Sequence, residues 1–118
     1  MKDLKFRIGR EGEVVYGKFN QSDNNIEYTP NHFIMLDTVW TLMQATGLKD
    51  NNNKDIYEGD ILKRKTSTPY VVEYNEDYAI FMAQQHYKRE KKFWIYLHAL
   101  ATNCEIIGNI YETPELLK

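Results

Sequence analysis

The stretch TGLKDNNNKDIYEGDILKRK, residues 46–65, decides how the chain folds. Its DNNN run consists of short polar side chains that bond their own backbone and tolerate left-handed dihedral angles, so it predicts a tight reversal. An apolar Ile-Tyr step follows, and Gly59 then supplies a residue that accepts positive φ. Asp60 is placed to cap this second turn. The stretch therefore predicts two turns followed by a β-strand that begins at Ile61.

Alternating apolar and polar residues predict further short strands on either side of this stretch. Leu4, Phe6 and Ile8 alternate with two basic residues, which is the period of a strand with one buried face. A hairpin is predicted over residues 4–19 and another over residues 70–83. Residues 31–40 fit the helical and the extended template equally, and their structure stays open. Other extended segments are predicted at residues 26–29, 41–46, 61–66, 93–97 and 104–111, and helical turns at residues 98–103 and 114–117.

The composition is typical of one small, mainly β domain. The chain has 118 residues, enough for a modest core, and 14% of them are aromatic, with nine tyrosines. Tyrosine favours strands and half-buried surfaces. The net charge of −2 gives no global attraction to a polyanion. A single cysteine excludes an internal disulfide. With no apolar run near twenty residues, we expect a soluble, cytoplasmic protein without a membrane segment.

The residue types that carry most enzyme chemistry do not form a recognisable site. Three histidines lie far apart in sequence, without ligand spacing, and His98 is expected to be a half-buried packing residue. Cys104 is expected to be a small buried hydrophobe. Acids cluster around the two turns, but their spacing is not that of a calcium loop, and we expect them to be solvated. We therefore predict no catalytic residue, metal or cofactor from these candidates: His32, His86, His98, Cys104, Asp50, Asp55, Glu58 and Asp60.

Four separated blocks resemble the YopX family of phage and prophage proteins. They are LKFR at residues 4–7, TGLKD with IYEGDI in the opening stretch, CEIIGNIYE at residues 104–112 and PELL at residues 114–117. Asn53 stands where the family usually has glycine, a mild change because asparagine also visits left-handed angles. Ile8-Gly9 replaces an aromatic residue that usually follows Phe-Arg. The resemblance implies a phage origin and a mainly β fold with an SH3-like barrel, and it transfers no catalytic residues.

Together these observations predict an N-terminal β region, residues 1–45, packed on an SH3-like barrel, residues 46–118, with few short helical turns. The expected function is non-catalytic: an interaction or assembly module of a phage or prophage that forms homo-oligomers through tyrosine-rich strands. The alternative is a small β-barrel that binds nucleic acid, with basic side chains on phosphates and aromatic rings on bases. The residues that would do so are Lys63, Arg64, Lys65, Tyr87, Lys88, Arg89, Lys91, Lys92 and Trp94.

Overall fold

Antiparallel β-strands make up most of the computed structural model, which describes residues 4–20, 25–29, 40–65, 67–87 and 91–117. One short α-helix, α1 (Leu97–Leu100), continues into a 3-10 turn (Ala101–Asn103), and a second 3-10 turn (Pro114–Leu117) ends the described chain. The protein is therefore mainly β, as predicted. In chain order the strands are β1 (Leu4–Arg10), β2 (Glu13–Asn20), β3 (Asn25–Thr29), β4 (Thr41–Lys49), β5 (Asp55–Tyr57), β6 (Asp60–Lys63), β7 (Tyr70–Asn75), β8 (Ile80–Tyr87), β9 (Lys91–Tyr96) and β10 (Glu105–Asn109).

The strands form two five-stranded sheets. The first sheet has the order β3-β2-β1-β4-β5, and the second has the order β10-β6-β7-β8-β9. The turn between β5 and β6 carries the chain from one sheet to the other, so the sequence stretch at residues 46–65 contributes strands to both. β4 pairs with β1 through its first half and with β5 through its second half. This architecture supports the mainly β prediction, and the SH3-like form of the barrel stays a prediction.

Glycine and asparagine take most of the positive φ angles in the described part of the chain, and Ala79 takes one of 52°. Gly12, Gly47 and Gly59 have φ near 79°, 84° and 88°. Asn53 has a φ of 64°, so the asparagine occupies the left-handed region that the sequence predicted for it. At Gly108 the pairing of β10 with β6 shifts register in a bulge, and a Cβ there would collide with the side chains of Thr113 and Leu116. The absence of a side chain at this position therefore lets the turn after β10 pack against the strand.

The apolar core lies between one face of the second sheet and the α1 segment. Leu62, Tyr70, Val72 and Ala83 from that face pack against residues of α1 and of the turn that follows it. Burial of such side chains is the main favourable term in folding. Cys104 is fully buried in this cluster, as predicted. The other buried members are Ile56, Leu97, Leu100 and Ala101.

Several sequence predictions need correction. The alternation in β1 predicted a buried apolar face, yet Arg7 on the opposite face is 1% exposed while Phe6 and Ile8 are only half-buried. β8 extends to Tyr87, because its polar end pairs with β9. β6 ends at Lys63, earlier than predicted. His98 is exposed and stacks on the Tyr96 ring, with 5.7 Å between centroids. The open segment at residues 31–40 lies outside the described residues apart from its last position.

Candidate functional site

A buried ion pair occupies the inner side of the turn between β5 and β6. Arg7 Nη1 lies 2.7 Å from Asp60 Oδ1, and the two side chains are 1% and 2% exposed. Arg7 Nη2 donates a hydrogen bond of 3.0 Å to the Glu58 carbonyl, and the Tyr57 amide donates one of 2.7 Å to Asp60 Oδ2. The bond from Tyr57 confirms the predicted capping role of Asp60. The sequence did not indicate Arg7 as its partner.

Two tyrosine rings enclose the guanidinium of Arg7. Its Cζ lies 5.9 Å from the Tyr16 ring centroid and 5.1 Å from that of Tyr57, and the two rings meet edge to face at 5.4 Å. These contacts replace water around the cation with π-electron density. Burial raises the pKa of the Asp60 carboxyl, while the Arg7 guanidinium and the Tyr57 amide oppose that shift. The pair is thus held by protein partners, and its chemistry is structural: it fixes β1 against the turn.

The first turn is organised by Asp50. Its Oδ1 accepts hydrogen bonds of 2.9 Å from the amides of Asn52 and Lys54, and its Oδ2 accepts one of 3.0 Å from the amide of Ile106. Burial alone would raise the pKa of Asp50, but these three amides together lower it below the usual value. Asp50 is 5% exposed and Asp60 is 2% exposed, so the prediction that the turn acids are solvated is wrong for both. Asp50 ties the turn to β10.

The remaining motif residues also make contacts that hold the fold. Thr46 Oγ1 donates to the Ile56 carbonyl at 2.9 Å. Asn109 Oδ1 accepts from the amides of Tyr111 and Glu112 at 3.0 and 2.9 Å, and so shapes the turn after β10. Cys104 is buried, and burial raises the pKa of its thiol. Among the residues that the structure describes, no group of three or more His, Cys, Asp or Glu side chains is placed to hold a metal ion.

A surface groove lies where β4 approaches the β7–β8 hairpin. It has a volume of about 320 Å³ and is lined by Leu42, Gln44, Glu58, Tyr74 and Phe81. The Leu42 side chain is 60% exposed and Tyr74 is 43% exposed, and the Tyr74 and Phe81 rings meet edge to face at 5.2 Å. We call this feature the hairpin groove. Sequence analysis missed it, because its lining comes from three segments that only the fold brings together.

The predicted nucleic-acid-binding residues divide into those whose side chains are described and those whose side chains are not. Lys63 and Lys65 are exposed. Arg64 is exposed as a residue, but its Nη2 donates to the Tyr70 hydroxyl at 3.2 Å and its Cζ lies 5.9 Å from that ring. For Tyr87, Lys91, Lys92 and Trp94 only the strand position is described, and Lys88 and Arg89 lie outside the described residues.

Strand register brings Lys63, at the end of β6, and Lys91 and Lys92, at the start of β9, to the same end of the second sheet. Leu62 pairs with Tyr70, Tyr70 pairs with Gln85 and Gln85 pairs with Phe93. β7 and β8 lie between the two strands. At the usual strand spacing, β6 and β9 are therefore about 14 Å apart. Trp94 lies further along β9, opposite Gln84.

The described part of the chain has no helix that is both long and apolar enough to cross a membrane. Comparison with curated proteins gives no match. Among solved structures, the crystal structure of protein EF1440 from Enterococcus faecalis is similar, with a TM-score of 0.57, 24% identity and coverage of 98% of each chain. At that identity the likeness shows the fold alone. The family model described as YopX protein matches residues 3–118, nearly the whole sequence. The chain therefore belongs to the YopX family.

Proposed function

We propose that this protein is a non-catalytic assembly module that acts through self-association, as an accessory factor of a phage or prophage in the host cytoplasm. The observation that carries the proposal is the hairpin groove, where an apolar side chain that is 60% exposed, Leu42, lies beside two aromatic rings. Tyr78 on the adjoining turn is 67% exposed. Exposed aromatic and aliphatic side chains around a concave surface are typical of protein interfaces.

The contacts of the motif residues support a binding role over a catalytic one. The side-chain oxygens of Asp50, Asp60 and Asn109 accept hydrogen bonds from backbone amides or pair with Arg7. A general acid or base needs a carboxylate that can reach a substrate, and Asp50 and Asp60 are buried behind their partners. The groove takes its lining from both predicted regions, with Leu42 and Gln44 before residue 46 and Glu58, Tyr74 and Phe81 after it.

Light scattering after size exclusion tests the proposal. We expect a mass above the 14.0 kDa of one chain, and we expect Leu42→Ser to lower it, because the substitution removes the apolar anchor from the groove. Tyr96→Ser is the matched control, since Tyr96 is 48% exposed and does not line the groove. A monomer at all accessible concentrations would contradict the proposal. A Leu42→Ser protein with the same mass as the parent would show that the hairpin groove is not the interface.

Binding to single-stranded nucleic acid is the second candidate, favoured by the position of Lys63, Lys91 and Lys92 at one end of the second sheet. We expect submicromolar affinity at low salt that weakens as salt rises. Lys63→Ala with Lys65→Ala should reduce the salt slope by about 1.4, while Lys49→Ala with Lys54→Ala should leave it unchanged. Affinity weaker than about 10⁻⁴ M at low salt would exclude this function.

A further inference from the structure

The second sheet carries opposite charges at its two ends. At one end, the turn between β7 and β8 holds Glu76 and Asp77, both exposed. Asn75 Oδ1 accepts hydrogen bonds from the amides of Asp77 and Tyr78, at 3.0 and 3.2 Å, so the backbone of this turn is braced. The hairpin groove opens beside it, and Glu58 is the charged residue in its lining. This acidic end therefore combines negative charge with an apolar cleft.

The other end of the same sheet is mainly basic, although the exposed Glu105 pairs with Lys63 there. Lys63 and Lys65 are exposed there, and Arg64 is anchored on Tyr70. The strand that begins with Lys91 and Lys92 starts at this end. We call Lys63, Arg64 and Lys65 the basic corner. It offers long aliphatic stems that can cover an apolar surface while their charged ends reach carboxylates.

The two ends are too far apart to meet within one molecule. In β8, Phe81 lies at the groove and Tyr87 at the basic end. Six strand residues separate them, which corresponds to about 20 Å. The two surfaces can therefore contact each other only between molecules.

We propose that the hairpin groove and its acidic turn receive the basic corner of a second copy of this chain. The inference rests on the proposed self-association and adds its geometry and its partner surface. Charge complementarity selects the occupant: the groove has an acidic rim, and this chain presents basic side chains at the opposite end of the same rigid sheet. The contact closes into a two-fold dimer where two antiparallel copies make it reciprocally, and it builds a ring or a filament where it repeats from copy to copy.

Paired charge reversals test this contact. The first variant carries Glu76→Lys and Asp77→Lys, and the second carries Lys63→Glu and Lys65→Glu. Each protein should associate more than about tenfold more weakly than the parent, because like charges then face each other. A one-to-one mixture should associate again, since the unaltered corner of the first variant meets the unaltered groove of the second. Glu11→Lys with Glu115→Lys is the control for the first variant, with the same change in net charge at other exposed sites.

Sedimentation velocity on the folded proteins separates the outcomes, and thermal unfolding of each variant checks the fold. If the two variants are monomeric alone and form complexes when mixed, the result supports the contact between the hairpin groove and the basic corner. If both variants associate as strongly as the parent, this contact is wrong, while self-association itself still holds. Variants that lose association but do not recover it in the mixture also overturn it. Parent protein that stays monomeric contradicts the proposed function itself.

Discussion

At the scale of single residues, the pair formed by Arg7 and Asp60 fixes the joint between the two sheets. A charge is costly to bury unless it is paired, so each member depends on the other. The alternating pattern of β1 indicated an outward side chain at position 7. Asp60 and the rings of Tyr16 and Tyr57 surround the Arg7 side chain and bury it. Local periodicity cannot contain this information, because the partners lie on other strands.

We expect Asp60→Asn to lower the free energy of unfolding by about 3–5 kcal/mol, since it leaves the Arg7 cation buried without a counter-charge. Lys49→Ala is the control: it breaks the exposed pair with Asp55, whose atoms are 3.0 Å apart, and should cost about 0–1 kcal/mol. Urea denaturation followed by circular dichroism measures both. A loss below about 1 kcal/mol for Asp60→Asn would show that the pair does not hold the joint.

At the scale of elements, the strands and turns were largely predictable and their ends were not. Hairpins such as β1–β2 and β7–β8 follow from alternation and turn chemistry within a few residues. The predicted hairpin ended at residue 83, because the pairing of the polar end of β8 is set by the neighbouring β9 and not by its own side chains. The hairpin groove could not be predicted from the sequence either, because its lining residues lie on segments that are distant in sequence. The basic runs could be read directly from the sequence. That Lys63, Lys91 and Lys92 lie at the same end of the sheet could be seen only from the strand register.

The first turn should contribute to acid sensitivity through Asp50. Its pKa in the folded protein lies below the ordinary value of 3.8, so the stability it contributes is present above that pH and is lost as pH falls through the folded pKa. Asp50→Asn replaces one accepting oxygen with a donor and should cost about 1–3 kcal/mol at neutral pH. We expect the difference from the parent to shrink on acidification below pH 3.8.

Urea titrations at a series of pH values measure this effect. Glu115→Gln is the control, because Glu115 is exposed on the last 3-10 turn and lies outside the acidic turn and the hairpin groove. Its curve should run parallel to that of the parent. If the Asp50→Asn protein kept a constant deficit from neutral pH down to about pH 3, the carboxylate would not be the source of the acid dependence.

At the scale of the whole molecule, the predicted division at residues 45 and 46 falls inside β4, which pairs with both β1 and β5. We expect a protein of residues 46–118 alone not to unfold cooperatively, because β4 loses its pairing with β1 and Asp60 loses Arg7. Thermal unfolding by circular dichroism, with the full chain as reference, tests this. A cooperative transition near that of the full chain would show that the barrel region folds by itself.

The position of Arg7 has a consequence for biosynthesis. Arg7 emerges from the ribosome before Glu58, which lies 51 positions later, and before Asp60, so several seconds separate them at ordinary elongation rates. During that interval the β1–β2 hairpin can form but its guanidinium must stay hydrated. We expect the contact between Arg7 and Asp60 to form late in folding, after the strands that it joins. Disrupting the joint should accelerate unfolding far more than it retards folding, so its contribution is to the lifetime of the finished protein.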